Sequence, residues 1–206
     1  RQQDTLILQF KKLKCFRLDI FTVLHIEQME KNPSRITRWW PALIIILCCI
    51  IIWRCWYITP PLTTVILVRH ADRTGTVDQI NSLGLIRADE LDRILDKVEI
   101  NAIYASTALR TQQTVEEIST TLGITPIIYD PTNIPNLASE ILTGFKGKIV
   151  LVSGHSNTIP QTINELGYVP SLVDIPHNEY DRIYILEIVG NKAKRLLEME
   201  YGNDTN

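Results

Sequence analysis

Three short apolar, β-branched runs in this chain each stop abruptly at residues able to do chemistry, and this coincidence restricts the fold more than any other feature. Thr63–Val68 ends in Arg69-His70-Ala71-Asp72. Ala102–Ala105 runs into Ser106-Thr107-Ala108-Leu109-Arg110, and Lys148–Val152 into Ser153-Gly154-His155-Ser156-Asn157-Thr158. Runs of this length and composition predict strands, and Ile127–Tyr129 and Arg182–Val189 predict two more. Helical patterns lie between them. Asn81 or Ser82 can cap a helix with Leu83, Ile86, Leu91, Ile94 and Leu95 on one side, a second runs from the Ser106 block to about Leu122, and a third carries Ile159, Ile163 and Leu166. Strands alternating with helices specify a three-layer α/β/α domain with a mostly parallel central sheet. In such sheets ligands bind beyond the carboxyl ends of the strands. Arg69, His70, Arg110 and His155, up to 86 residues apart, can therefore meet in one cup. Two guanidiniums and two imidazoles describe a site for an oxyanion, because guanidinium forks match phosphate geometry.

Ahead of this domain, Trp39–Ile58 is a run of twenty residues with one charge, Arg54. A helix needs about twenty residues to cross a 30 Å hydrocarbon core. Trp39, Trp40, Trp53, Trp56 and Tyr57 stand where aromatic belts stand, and Arg54 is close enough to the end to reach headgroups. No small-residue cleavage site follows, so residues 39–58 are expected to be an uncleaved transmembrane signal-anchor. Lys31, Arg35 and Arg38 precede the run, which places the N-terminus in the cytoplasm and residues 59–206 in the periplasm or outside. Residues 1–38 form a basic N-terminal segment. Met29 is followed by a basic stretch and then the apolar run, so residues 1–28 are either an extension of the reading frame ahead of a natural start at Met29 or a cytoplasmic tail.

Composition follows the same division. The net charge of −2 sums a basic head, with nine Lys/Arg against four Asp/Glu through residue 58, and an acidic body with twelve against nineteen. An acidic body disfavours a polyanionic partner such as nucleic acid. All four cysteines, Cys15, Cys48, Cys49 and Cys55, precede residue 59, so neither a disulfide framework nor a cysteine-ligated metal supports the body.

The blocks Val68-Arg69-His70-Ala71-Asp72, Ser106/Arg110/Gln113-Thr114 and Gly154-His155-Ser156-Asn157-Thr158, in this order and each at a strand end, resemble the histidine phosphatase superfamily, the phosphoglycerate mutase-like proteins. The resemblance covers about residues 63–189, and the short domain is most similar to the small bacterial phosphohistidine-phosphatase type. It implies that His70 is a nucleophile that becomes a phosphohistidine, that Arg69 and Arg110 clamp the phosphoryl oxygens, and that His155 donates to them. No cofactor and no metal are implied. Neutral imidazole is itself a competent nucleophile at physiological pH. Ser106 either binds phosphate or caps the helix carrying Arg110, and Asn157 shapes the turn or touches substrate. Two departures stand out, Ala71 where the family usually has Gly and Asp72 where it often has Glu. The proton donor for the leaving group is open among Asp72, Asp130, Glu179 and Asp181, the last two in the run Asn178-Glu179-Tyr180-Asp181. His25 and His177 are expected at the surface. The expected activity is a membrane-anchored phosphatase acting on a phosphate monoester or phosphoramidate, with a phosphorylated small molecule or phosphoprotein as partner. Two other readings compete: a non-catalytic module that binds a phosphorylated ligand, and a metal-dependent hydrolase using His70, Asp72, His155 and His177. The positive charge of Arg69 and Arg110 opposes the metal reading.

Overall fold

The computed structural model describes residues 33–58 and 60–204; His25, Met29, Lys31 and Cys15 lie outside the described residues. The chain divides into two units, Arg1–Thr59 and Pro60–Asn206. In the first, the apolar run is helical, as α1, Pro33–Ile58, which starts six residues before Trp39. Its apolar side chains are exposed on all sides, from Leu43 and Ile44 through Ile51 and Ile52. Among the described residues no helix is long and apolar enough to cross a membrane.

The second unit builds a six-stranded sheet from β1 (Leu62–Arg69), β2 (Ile100–Ser106), β3 (Ile127–Tyr129), β4 (Ile149–Gly154), β5 (Arg182–Val189) and β6 (Lys192–Glu200), in the order β3-β2-β4-β1-β5-β6. The first four strands of that order run parallel. β5 pairs antiparallel with β1, and β6 antiparallel with β5. The helices are α2 (Ser82–Leu95), α3 (Leu109–Thr114), α4 (Glu116–Leu122), α5 (Ile134–Gly144) and α6 (Thr158–Glu165). Alternation along β1 sends Val65 and Leu67 to one face and Ile66 and Val68 to the other. The first face packs on Leu137, Ile141, Ile159 and Ile163 of α5 and α6. The second packs on Leu91 of α2 and Ile118 of α4. The three-layer arrangement with a mostly parallel sheet follows.

Four details depart from the expectations. The helix expected to run to Leu122 breaks at Val115, whose side chain is fully buried and whose N–H bonds back three residues to Gln112. The apolar stripe on α2 is displaced: Leu83 and Ile86 are exposed, and Gly84, Arg87, Ala88, Leu91 and Leu95 face inward. The segment 130–142, for which no element is expected, contains α5, opened by Asn133, whose side chain accepts from the Asn136 N–H. β6 was not expected either; it is a charged, largely exposed edge strand held by pairing with β5.

Candidate active site

Strand pairing brings the first and third motifs together. Arg69 is level with Gly154 across β1 and β4, and the His70 N–H donates to the Gly154 carbonyl at 2.8 Å. β4 lies between β1 and β2 although it follows both in the chain, so the crevice opens where the winding reverses. Gly154 is required here: a Cβ would lie 2.8–2.9 Å from Ile159, Thr158 and Tyr129 side-chain atoms. Gly84 is required for a similar reason, since its Cβ would lie 2.4 Å from the Asp72 carbonyl. The start of α2 thus presses directly on the turn that carries His70.

His70 is 3% exposed. Its Nδ1 lies 2.9 Å from the Ala71 carbonyl. A carbonyl only accepts, so Nδ1 carries the proton and Nε2 keeps its lone pair. Ala71 is itself held by its N–H donating to the Thr114 hydroxyl at 2.8 Å. The ring of His155 stands edge-on to His70 with centroids 5.7 Å apart, and that of Tyr180 lies 5.7 Å away. Arg110 Nη2 donates to His155 Nδ1 at 3.1 Å, which leaves the proton on Nε2 to be donated to the Ser106 hydroxyl at 2.9 Å. Ser106 in turn bonds Thr111 at 2.9 Å. These bonds define the tautomer that each imidazole takes when neutral. Burial, and then the nearby guanidiniums, push His70 down to about 3 and His155 down to about 4, with the Ala71 carbonyl opposing the shift at His70.

Arg69 is fixed by the loop before β5. Its Nη1 donates to the carbonyls of Pro176, His177 and Glu179 at 2.8, 3.1 and 2.7 Å, and its guanidinium sits 4.1 Å above the Tyr180 ring. Arg110 pairs through Nη1 with Asp78 at 2.6 Å. The Nε atoms of Arg69 and Arg110 are buried without a hydrogen-bond partner. Arg73 has the same feature, and its charge acts on both Arg69 and His155. Arg73 and Asp78 went unnoticed in the sequence because each looks like an ordinary charged loop residue; only the folding back of the 73–81 loop brings them to the cup.

The remaining expected residues fall in different places. Ser106 is fully buried; it accepts from the Ala108 N–H at 3.2 Å and holds His155, while Ala108 is the residue that caps α3. Asn157 is exposed at the start of α6 and makes no side-chain cap bond. Asp72 accepts from Arg87 at 2.6 Å in a buried ion pair, and Arg87 also donates to the carbonyls of Tyr201 and Asn203. Glu179 pairs with Arg182. Asp181 is buried, and its carbonyl accepts from the Tyr201 N–H. Asp130 closes a turn by accepting from the Thr132 N–H and hydroxyl, and those bonds hold its carboxyl below the usual range. It follows β3, three strand spacings from β1, a distance of about 14 Å across the sheet. His177 is exposed. Among the described residues no group of three or more His, Cys, Asp or Glu is placed to hold a metal ion.

A cavity of about 450 Å³ adjoins the cup at Tyr180 and Asp72; Leu83, Ile86, Arg87 and His177 also line it. His70 is not in its wall, so it is room beside the chemistry and not the chemistry itself.

Residues 65–132 match the family model of the histidine phosphatase superfamily (branch 1), a span holding the first two motifs. The third motif joins them through β4. No curated protein matches the sequence. Among solved structures, the protein histidine phosphatase SixA complexed with tungstate is 19% identical, with a TM-score of 0.54 over 66% of this chain and 96% of that one. A putative alpha-ribazole-5'-P phosphatase from Escherichia coli K-12 is 11% identical, with a TM-score of 0.53 over 67% and 96%. The mycobacterial glucosyl-3-phosphoglycerate phosphatase is 12% identical, with a TM-score of 0.52 over 68% and 98%. At these identities the likeness is one of fold. The superfamily resemblance carried by the motifs is borne out.

Proposed function

We propose that this chain, a member of the histidine phosphatase superfamily, is a phosphatase that works through a phosphohistidine on His70. The observation that carries this reading is the Nδ1–H bond to the Ala71 carbonyl, which leaves Nε2 of the neutral ring with its lone pair, on a histidine whose ring meets that of His155 and feels the charges of Arg69 and Arg110. Nε2 attacks phosphorus, the P–N bond forms as the bond to the leaving group breaks, and the leaving group departs with the electron pair and takes a proton. Water then attacks the phosphohistidine, giving inorganic phosphate and restoring neutral His70. The guanidiniums supply the charge that phosphoryl transfer demands, so removing one donor is expected to cost about 10²–10³ in rate.

Asp72, Glu179 and Asp130 are engaged with Arg87, Arg182 and Thr132, and Asp181 is buried. Leaving groups that need little protonation, such as an aryl phosphate or the imidazole of a phosphohistidine, are therefore the ones expected to turn over best. The cavity beside Tyr180, with Leu83 and Ile86 in its wall, offers a leaving group of mixed polarity a place to sit. A phosphorylated protein or a small phosphate ester fits that description. Membrane anchoring is inferred from the sequence run 39–58; the apolar side chains exposed from Leu43 to Ile52 suit an apolar surround, and the preceding basic residues favour an extracytoplasmic phosphatase domain. The test is to trap the intermediate. Brief incubation with a radiolabelled aryl phosphate should label the full-length chain with acid-labile, base-stable phosphate, and the His70→Ala chain should remain unlabelled and inactive. Undiminished turnover by His70→Ala would sink the mechanism.

A further inference from the structure

Arg69 is held by backbone carbonyls, whereas Arg110 is held by a carboxylate. Its Nη1 donates to Asp78 Oδ1 at 2.6 Å and its Nη2 to His155 at 3.1 Å, while the N–H groups of Leu109 and Arg110 reach the same Asp78 carboxylate at 3.1 and 3.4 Å. We propose that Asp78 is an internal counterion of the phosphoryl site: it occupies Arg110 while the cup is empty, gives way to the incoming phosphoryl group, and returns to help expel inorganic phosphate after hydrolysis. The inference rests on the assignment of Arg110 to the phosphoryl group made above.

Three observations support the exchange. Asp78 lies on the loop between Asp72 and α2 with 53% of its side chain exposed, against 21% for Arg110, so it can leave for water while Arg110 stays. The loop is tied near its far end, by the Asn81 N–H on the Asp72 carbonyl at 2.9 Å and the Ile80 N–H on Gln113 at 3.1 Å. Near its start Gly75 takes a φ of +53°, with open space where a side chain would stand. Charge supplies the purpose. Arg69, Arg73 and Arg110 around two neutral imidazoles would hold a phosphate dianion tightly, and a phosphatase must release that product on every turn. Asp78 lowers the positive charge of the cup by one without touching His70. Although slight burial works the other way, the Leu109 and Arg110 N–H groups and the Arg110 guanidinium keep its carboxyl below the ordinary range, so it carries its charge at neutral pH.

Asp78→Asn removes the charge and keeps one acceptor: Oδ1 stays for the Arg110 N–H and guanidinium, and the oxygen that accepts from the Leu109 N–H is given up. Calorimetric titration of the full-length chain with inorganic phosphate should show Kd falling about twofold to fivefold in Asp78→Asn, the amount a partly exposed ion pair opposes. The inhibition constant of phosphate against aryl phosphate hydrolysis should fall in parallel, and the gap should narrow as salt is raised. Asp78→Glu, which restores the charge, should bind phosphate like the parent. Phosphate binding that is unchanged or weaker in Asp78→Asn overturns the proposal, as does equal tightening by Asp78→Glu. Binding is read at equilibrium, so a tightened Kd in a chain that hydrolyses nothing defeats the phosphatase reading alone. Phosphate binding indifferent to Arg110→Ala defeats the counterion proposal.

Discussion

Asp72 stands two residues after His70 and is the nearest in sequence of the four carboxylates that could protonate a leaving group, which makes Asp72→Asn the most informative single substitution. Its carboxylate lies 2.6 Å from Arg87 Nε, with the two side chains 12% and 3% exposed. Arg87 also donates to the carbonyls of Tyr201 and Asn203, so the pair ties the turn after β1 to α2 and to the end of the chain. Removing one partner from a buried pair strands the other charge, at a cost of about 3–5 kcal/mol. Asparagine keeps an oxygen for the Arg87 N–H, which points to the lower end, about 3 kcal/mol. In a unit of this size each kcal/mol moves the midpoint by about 2–4 °C, so Tm should fall by about 6–12 °C. Circular dichroism on the full-length chain measures this. Well below that midpoint, kcat for an aryl phosphate should fall by less than about tenfold, because Asp72 faces Arg87 and not the phosphoryl group. A fall of about 10²–10³ in kcat at unchanged Tm would refute the reasoning and make Asp72 the proton donor.

Other outcomes follow from the same geometry. Both histidines sit below their ordinary value of 6.5, at about 3 and about 4, so the folded state binds fewer protons than the unfolded chain as pH falls below 6.5. Stability should therefore decline from pH 6.5 toward pH 4, by up to about 1.4 kcal/mol per pH unit for His70 and less for the more exposed His155, and stay level above 6.5; urea denaturation at pH 5 and 7 reads it. Phosphate binding brings negative charge to His155, so its NMR titration should shift upward from about 4 on adding phosphate. Gly84→Ala places a methyl 2.4 Å from the Asp72 carbonyl and should cost about 1–3 kcal/mol while lowering turnover through the displaced His70 turn, measured by melting and kcat. Ser106→Ala frees His155 from its 2.9 Å bond and should lower kcat more than it changes Tm; a purely structural role would reverse that order.

Strand ends were legible because apolar β-branched runs stop where the sheet stops, and the next side chains must then face the crevice. That logic found Arg69, His70 and His155, and the Ser106 block brought Arg110 with it. It failed where local pattern and burial part company. Leu83 and Ile86 look like the inner face of α2, yet Gly84 and Arg87 face inward, because the helix must approach the Asp72 backbone closely and Arg87 must reach Asp72. β6 has no apolar period to read, since an edge strand of charged residues is defined by the partner it pairs with. Among the proposed proton donors, Glu179 and Asp181 do lie in the loop beside the cup, but the 176–179 segment meets Arg69 through its carbonyl oxygens, which side-chain chemistry does not announce.

The sequence by itself determined the α/β class and the order of the motifs, because strand composition and residue chemistry are local properties. Tertiary structure decided which nitrogen of each histidine is free, which carboxylates are committed to arginines, and that Asp78 and Arg73 belong to the cup. Those outcomes depend on where backbone carbonyls and loop charges land after folding, and residues tens of positions apart settle them together: Ala71 with Thr114, Arg69 with the carbonyls of 176–179, and Arg110 with both Asp78 and His155.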